Sequence, residues 1–192
     1  MSEKLEKITL GGGCFWCLNP CFEMLNGVYK VTSGYSGGNY EYPTYQQVST
    51  GLTGHAEVVQ IEYNPEEISF SELLDVFWYI HDPTQVDKQG NDIGTQYRSV
   101  IFYRTEEQKV LSRESLKKSQ ATDLWKEKYT TLISPFSVFY PAEDHHQRYY
   151  QENPNQPYCR TVIAPKIQKF KARFNYKLKP EFQKENSELA GF

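Results

Sequence analysis

Four cysteines occur in this 192-residue chain, and two of them stand three residues apart in "GGGCFWC", residues 11–17. Glycines let a backbone turn tightly and approach other groups closely, so Gly11-Gly12-Gly13 can carry a strand into Cys14 at the first turn of a helix. A thiol at that place meets unpaired N–H groups and the positive end of the helix dipole, which favour the thiolate. Cys14 is therefore expected to be a reactive, ionised nucleophile. Cys17 completes a C-x-x-C pair, Cys21 falls one turn further on as apolar packing, and Cys159 lies far off in "NPNQPYC".

A nucleophile needs groups that move protons. In "HAEVVQIEY", strand alternation puts Glu57 on one face with Val59, Ile61 and Tyr63. A carboxyl held among apolar groups keeps its proton and becomes a donor at physiological pH; a strand-end ion pair is the competing account. "GNDIGTQYRS" places Asp92 in a glycine-flanked turn just before a strand that carries Tyr97, and the Tyr-rich loop "SGGNYEYPTYQQV" supplies Tyr45. Read singly, that aspartate is an ordinary turn residue and those tyrosines are packing.

The elements that must position these groups follow from periodicity. "KITL" reads as a strand and "CFWCLNPCFEMLNG" as a short helix closed by Gly27, with Pro20 either delaying its start or kinking it. "VYKVTSGY" and "HAEVVQIEY" read as strands, and "SFSELLDVFWYIHD" as an amphipathic helix opened by a Ser69…Glu72 capping box. "QYRSVIFY" is apolar on both faces and belongs inside the sheet; "TEEQKVLSRESLKKSQ" is a solvated helix with a Thr105…Gln108 box. After it come "FSVFY", "PAEDHHQRYYQENP" and "APKIQKFKARF". Strands alternating with helices imply an α+β fold: one mixed or antiparallel sheet with helices packed on it, and an irregular C-terminal segment. Residues 1–176 are expected to form a single domain, and the polar stretch 177–192 a poorly ordered tail.

Composition narrows the class. A net charge of −3 without a basic block argues against nucleic acid, and no apolar run approaches the roughly 20 residues of a membrane helix. The opening "MSEKLEK" is charged and lacks the apolar segment of a signal peptide, so a cytoplasmic protein in a reducing compartment is expected. There, cysteines are reactive or inert rather than structural disulfides.

The fragments "GGGCFWC", "PTYQQVSTGLTGHAEVV", "DPTQVDKQGNDIGTQYRS", "YPAEDHHQRYY" and "NPNQPYC" occur in this order. Together they resemble the peptide methionine sulfoxide reductase A family over roughly residues 8 to 160. The resemblance implies a two-layer α+β sandwich with a ferredoxin-like core. It also implies that Cys14 attacks the sulfoxide sulfur, that neutral Glu57 with Tyr45 and Tyr97 polarises and protonates the oxygen, and that Phe15 and Trp16 wall the methyl pocket. Asp92, His146, Tyr149 and Tyr158 fall at positions that line the family's site. The product would be methionine and a Cys14 sulfenic acid, discharged by a second thiol as a disulfide. Cys159 matches the C-terminal resolving cysteine of some members, and Cys17 is the alternative. S-epimer selectivity, action on free and protein-bound methionine sulfoxide, no bound cofactor or metal, and reduction by thioredoxin (dithiothreitol in vitro) are further implications. A monomer is expected. "LNPC" departs from the pattern, which often has an acidic residue there, and with no glycine-rich, cysteine-bearing tail a relay through a third cysteine is not expected.

Two other readings compete. Strand, glycine turn and "CFWC" opening a helix also suit a thioredoxin-like dithiol–disulfide oxidoreductase confined to Cys14 and Cys17. A non-catalytic metal module using Cys14, Cys17, Cys21, His145 and His146 has enough ligands but lacks the usual paired spacing.

Overall fold

The computed structural model describes residues 4–183. Its first strand, β1 (Glu6–Gly11), runs into helix α1 (Phe15–Glu23), and the chain returns through β2 (Val28–Ser36). A short helix α2 (Tyr45–Ser49) precedes β3 (Ala56–Tyr63), and α3 (Phe70–Ile80) follows it. A small hairpin, β4 (Lys88–Gln89) and β5 (Asp92–Ile93), leads through a 3-10 turn at Thr95–Tyr97 to β6 (Val100–Tyr103) and α4 (Glu106–Gln120). Then come β7 (Leu132–Pro135), β8 (Phe139–Pro141), α5 (Tyr149–Glu152), a π-helical turn at Cys159–Ile163 and α6 (Ala164–Phe174).

Six strands form one sheet in the order β7-β6-β1-β3-β2-β8. All neighbours are antiparallel except β6 and β7, which run parallel, so the sheet is mixed. The register pairs Leu10 with Val59 and Ile101, and Tyr35 with Glu57. On the helix side, Ile8, Leu10, Val59, Ile61 and Tyr63 are fully buried against Phe22, Leu73, Phe77 and Phe170. The opposite face holds a separate cluster, Ala56, Val58, Val100 and Phe102, covered by Phe136 and Phe139. β6 thus shows apolar residues to both faces and lies inside the sheet, as its sequence suggests.

Helix starts follow their side chains. Ser69 and Glu72 form the full reciprocal box at α3. At α4 only half of the expected box exists: Thr105 accepts from the Gln108 N–H, while the Gln108 side chain accepts from Arg104 N–H and donates to the Lys7 carbonyl. Pro20 neither delays nor ends α1, which begins at Phe15 and continues to Glu23. α2, in a stretch read as loop, closes on its own Thr44/Gln47 capping box. β7 carries no alternation strong enough to be read, and exists because β6 offers it a parallel edge.

The tail does not begin at residue 177. Leu178 is buried and bridges to Leu25, Lys177 Nζ binds Glu72, and Lys179 Nζ donates to the Glu23 carbonyl. A polar stretch reads as tail when its few apolar anchors are overlooked. Residues 184–192 of that expectation lie outside the described residues.

Candidate active site

The glycine turn does what its composition suggests. Gly13 has φ +88°, a conformation that L side chains rarely adopt, and its N–H donates to the Tyr97 carbonyl at 3.2 Å. A Cβ at Gly12 would lie 2.9 Å from the His81 ring. Cys14 then serves as the N-cap of α1, and Cys17 stands at the third helical position with its N–H on the Cys14 carbonyl at 3.0 Å. An N-cap side chain naturally faces the third helical residue, so the two thiols meet. Both are buried and unoxidised.

The thiol chemistry differs from the sequence expectation. Burial raises the Cys14 thiol well above its ordinary range, with its hydrogen bond to Cys17 and the nearby Glu57 adding to the effect, against the Trp16 N–H. Cys17 is drawn down to about 7, first by the hydrogen bond from Cys14, against its own burial, with Lys166 and Tyr158 helping. Enclosure therefore works against the helix start at Cys14 and holds its thiol up. Loss of water outweighs the helix dipole when a thiol is this enclosed.

Glu57 reaches the site from β3 and is 1% exposed. Its Oε2 accepts the Phe15 N–H at 3.1 Å, one residue from Cys14. Burial pushes its carboxyl up to about 8, against the Phe15 N–H and with Asp92 and Cys17 adding to the rise. It is therefore a neutral acid at physiological pH, and the ion-pair alternative finds no cation at that carboxyl among the described residues.

Tyr45 and Tyr97 reach the site by routes other than those expected. Tyr45 is the first residue of α2 rather than part of a loop, and Tyr97 closes the 3-10 turn rather than lying on the strand, because β6 starts only at Val100. Burial and then Glu57 push the Tyr45 hydroxyl up to about 12 and raise that of Tyr97 as well, so both stay protonated. Asp92 stands on β5, just past the hairpin turn, and accepts from the Tyr158 hydroxyl at 2.6 Å. That same hydroxyl oxygen lies 3.8 Å from Cys17 Sγ.

Aromatic rings make the walls. Trp16 stacks on Tyr149 with centroids 3.7 Å apart and planes 9° from parallel, and Tyr158 meets it edge-on. Phe15 lies 5.8 Å from Tyr35 and 5.7 Å from His146. His146 Nδ1 accepts from Trp16 Nε1 at 3.2 Å, which leaves the proton on Nε2. Burial, and then His145, lowers its pKa and keeps the ring neutral.

Sequence reasoning missed the residues that hold this wall. Glu143 accepts from the Tyr35 hydroxyl at 2.9 Å and from the Tyr45 N–H at 3.1 Å. Gln147 clamps both backbone groups of Ser33. Their only signal is the polar run "PAEDHHQ", and their partners are about 100 residues away in sequence. Cys159 is fully buried in the π-helical turn, and its thiol is raised by burial and then by Cys17. Among the described residues no group of His, Cys, Asp and Glu is arranged to hold a metal ion, and no helix is long and apolar enough to cross a membrane.

Comparison with known proteins sets this geometry in context. The family described as peptide methionine sulfoxide reductase matches residues 6–178. The chain is 46% identical over 178 residues to a peptide methionine sulfoxide reductase MsrA of Polynucleobacter asymbioticus, covering 93% of this chain and 94% of that one. It is 52% identical over 168 residues to that of Nautilia profundicola, covering 86% and 94%. Among solved structures it resembles the reduced form of Mxr1 from Saccharomyces cerevisiae, with a TM-score of 0.75, 35% identity and coverage of 83% and 91%. Methionine sulfoxide reductase A of Corynebacterium diphtheriae aligns with a TM-score of 0.69, 37% identity and coverage of 80% and 77%.

Proposed function

The chain belongs to the peptide methionine sulfoxide reductase family and is an enzyme of that kind; from that premise we propose that it returns methionine S-sulfoxide, free and within proteins, to methionine through a Cys14 sulfenic acid. The observation that carries this reading is Glu57: a buried, protonated carboxyl tied to the Phe15 N–H beside Cys14. A sulfoxide oxygen departs from sulfur only as it gains a proton. Glu57 supplies it while Tyr45 and Tyr97 donate hydrogen bonds to the same oxygen, and Phe15 and Trp16 enclose the methyl group.

The steps balance. Cys14 sulfur attacks the sulfoxide sulfur and takes over its oxygen while the Cys14 proton passes to the carboxylate that Glu57 has become. Thiol and sulfoxide thus become sulfenic acid and thioether, Glu57 is protonated again, and two electrons pass from the cysteine to the methionine sulfur. A second thiol then attacks the sulfenic acid, releasing water and leaving a disulfide. We assign that step to Cys17, because it stands three residues on from Cys14 at the same helix start, with its N–H on the Cys14 carbonyl. Cys159 is the second reading. Its thiol is fully buried in the π-helical turn and would reach the site by local opening of that turn. A dithiol protein such as thioredoxin restores the reduced pair by exchange, with dithiothreitol replacing it in vitro, and no bound cofactor is required by this sequence of steps.

The order β6-β1-β3-β2, with α1 and α3 as crossovers, supports reading the core as ferredoxin-like, within a single two-layer domain. The test is a thioredoxin-coupled assay on each sulfoxide epimer of a blocked methionine and of an oxidised protein. Consumption of only the S epimer in both, lost in Cys14→Ser, supports the proposal. Turnover of the R epimer, or activity surviving in Cys14→Ser, rejects it.

A further inference from the structure

Gln89 lies outside the groups just described, yet it touches two of the segments that carry them and the stretch that follows α3. Its Oε1 accepts the Asp82 N–H at 2.9 Å and its Nε2 donates to the Asp82 carbonyl at 3.0 Å. This two-point clamp fixes the side chain to the backbone just past α3. Its methylenes press on the glycine turn: a Cβ at Gly13 would lie 2.7 Å from Gln89 Cγ and 2.8 Å from Gln89 Cβ. In the small hairpin Gln89 is paired directly with Asp92, whose carboxylate holds Tyr158.

We propose that Gln89 is a positioning residue, which wedges the Gly13–Cys14 turn against the Asp92 hairpin and so sets where the nucleophile sits relative to the acid and tyrosine donors. The inference rests on the reading of Cys14 as nucleophile. The turn has no side chain of its own to hold it, since Gly12 and Gly13 have no room for one. What fixes it is therefore external: the Tyr97 carbonyl on the Gly13 N–H, the His81 ring against Gly12 and the Gln89 chain against Gly13. Of these three, Gln89 alone also lies opposite Asp92. A side chain fully committed to one backbone unit by both its amide groups has little freedom left, which suits a wedge.

The test compares Gln89→Ala, which removes wedge and clamp, with Gln89→Met, which keeps bulk against Gly13 but not the two hydrogen bonds. For each folded variant, kcat and KM are measured, together with the pH dependence of iodoacetamide alkylation at Cys14, resolved by peptide mapping. A misplacement of about 1 Å costs on the order of 100-fold in rate, so kcat in Gln89→Ala is expected to fall about 10- to 100-fold with KM within about twofold. Gln89→Met falls in between. Loosening the turn lets water reach Cys14, so its alkylation midpoint moves to lower pH. A merely stabilising residue would lower the melting temperature and leave kcat per folded enzyme and the alkylation profile as in the parent; that result overturns the proposal. If Gln89→Ala does not fold, the same two readings are taken on Gln89→Met alone. The alkylation profile does not depend on sulfoxide turnover, so an inactive parent enzyme would reject the reductase reading, while a shifted or unshifted Cys14 midpoint would still decide for or against the wedge.

Discussion

The two walls of the site are built in opposite ways. One comes from residues 11–17 and Glu57, carried by interior strands and α1 and buried in the main core. The other comes from residues 143–158, a stretch of short turns with no buried residue in α5, held by long-range side-chain bonds from Glu143, Gln147 and Tyr158. On the proposed reading, the first wall holds the groups that exchange protons and oxygen, and the second supplies rings and a hydroxyl. Chemistry that needs an unusual protonation state is placed where water is excluded, whereas access is left to the part that local opening can move.

On that division, damage to the core wall removes chemistry and damage to the outer wall only tunes it. The largest effect is expected for Cys14→Ser, which leaves no nucleophile and so no methionine in a turnover assay. Glu57→Gln comes next: kcat/KM should fall about 10²- to 10⁴-fold for loss of the proton donor. Its stability should move the other way. The folded carboxyl titrates at about 8, above its ordinary value of 4.5, so its stabilising contribution is complete below about 4.5 and is lost as pH rises toward 8. Glu57→Gln is free of that loss, and calorimetry should find it more stable than the parent at pH 8, by on the order of a few kcal/mol. Parent activity should decline as pH rises through about 8. A Glu57→Gln enzyme with near-parent activity would break the contrast.

The outer wall should respond more mildly. Gln147→Ala frees the Ser33 backbone groups and should cost about 1–3 kcal/mol, seen as a melting temperature lower by several degrees, with kcat/KM reduced less than about tenfold. The smallest effect is expected for Tyr158→Phe, which removes the bond to Asp92 and the contact with Cys17. Rapid-quench measurement should find methionine release unchanged and disulfide formation altered by a few-fold.

The same division explains what can be read from the sequence. The burial of Glu57 is legible because strand alternation alone assigns its face, and the turn before Cys14 because glycines and a helix start are local signals. The Ser69…Glu72 box is legible for the same reason. Tyr45 and Tyr97 are singled out only by resemblance, and their local structure is misread, since a capping box in a polar loop and a 3-10 turn before a strand leave weak patterns. The enclosure of the Cys14 thiol, which pushes its pKa up, comes from the packed core and not from these seven residues, so it is not legible in them. Glu143, Gln147 and Gln89 act through backbone partners fixed by tertiary packing, which no spacing rule reports.

The central claim is that the core wall carries the reduction, assisted by Tyr45 and Tyr97, with Cys14 as nucleophile and Cys17 as its first thiol partner. It is tested most directly by a single turnover: fully reduced protein, no external reductant, each epimer of a blocked methionine sulfoxide, and peptide mapping of the disulfide formed. The account predicts about one methionine per enzyme from the S epimer, none from the R epimer, and a Cys14–Cys17 bond. A Cys14–Cys159 bond formed without a preceding Cys14–Cys17 bond would contradict the thiol assignment, and no methionine from either epimer would contradict the claim itself.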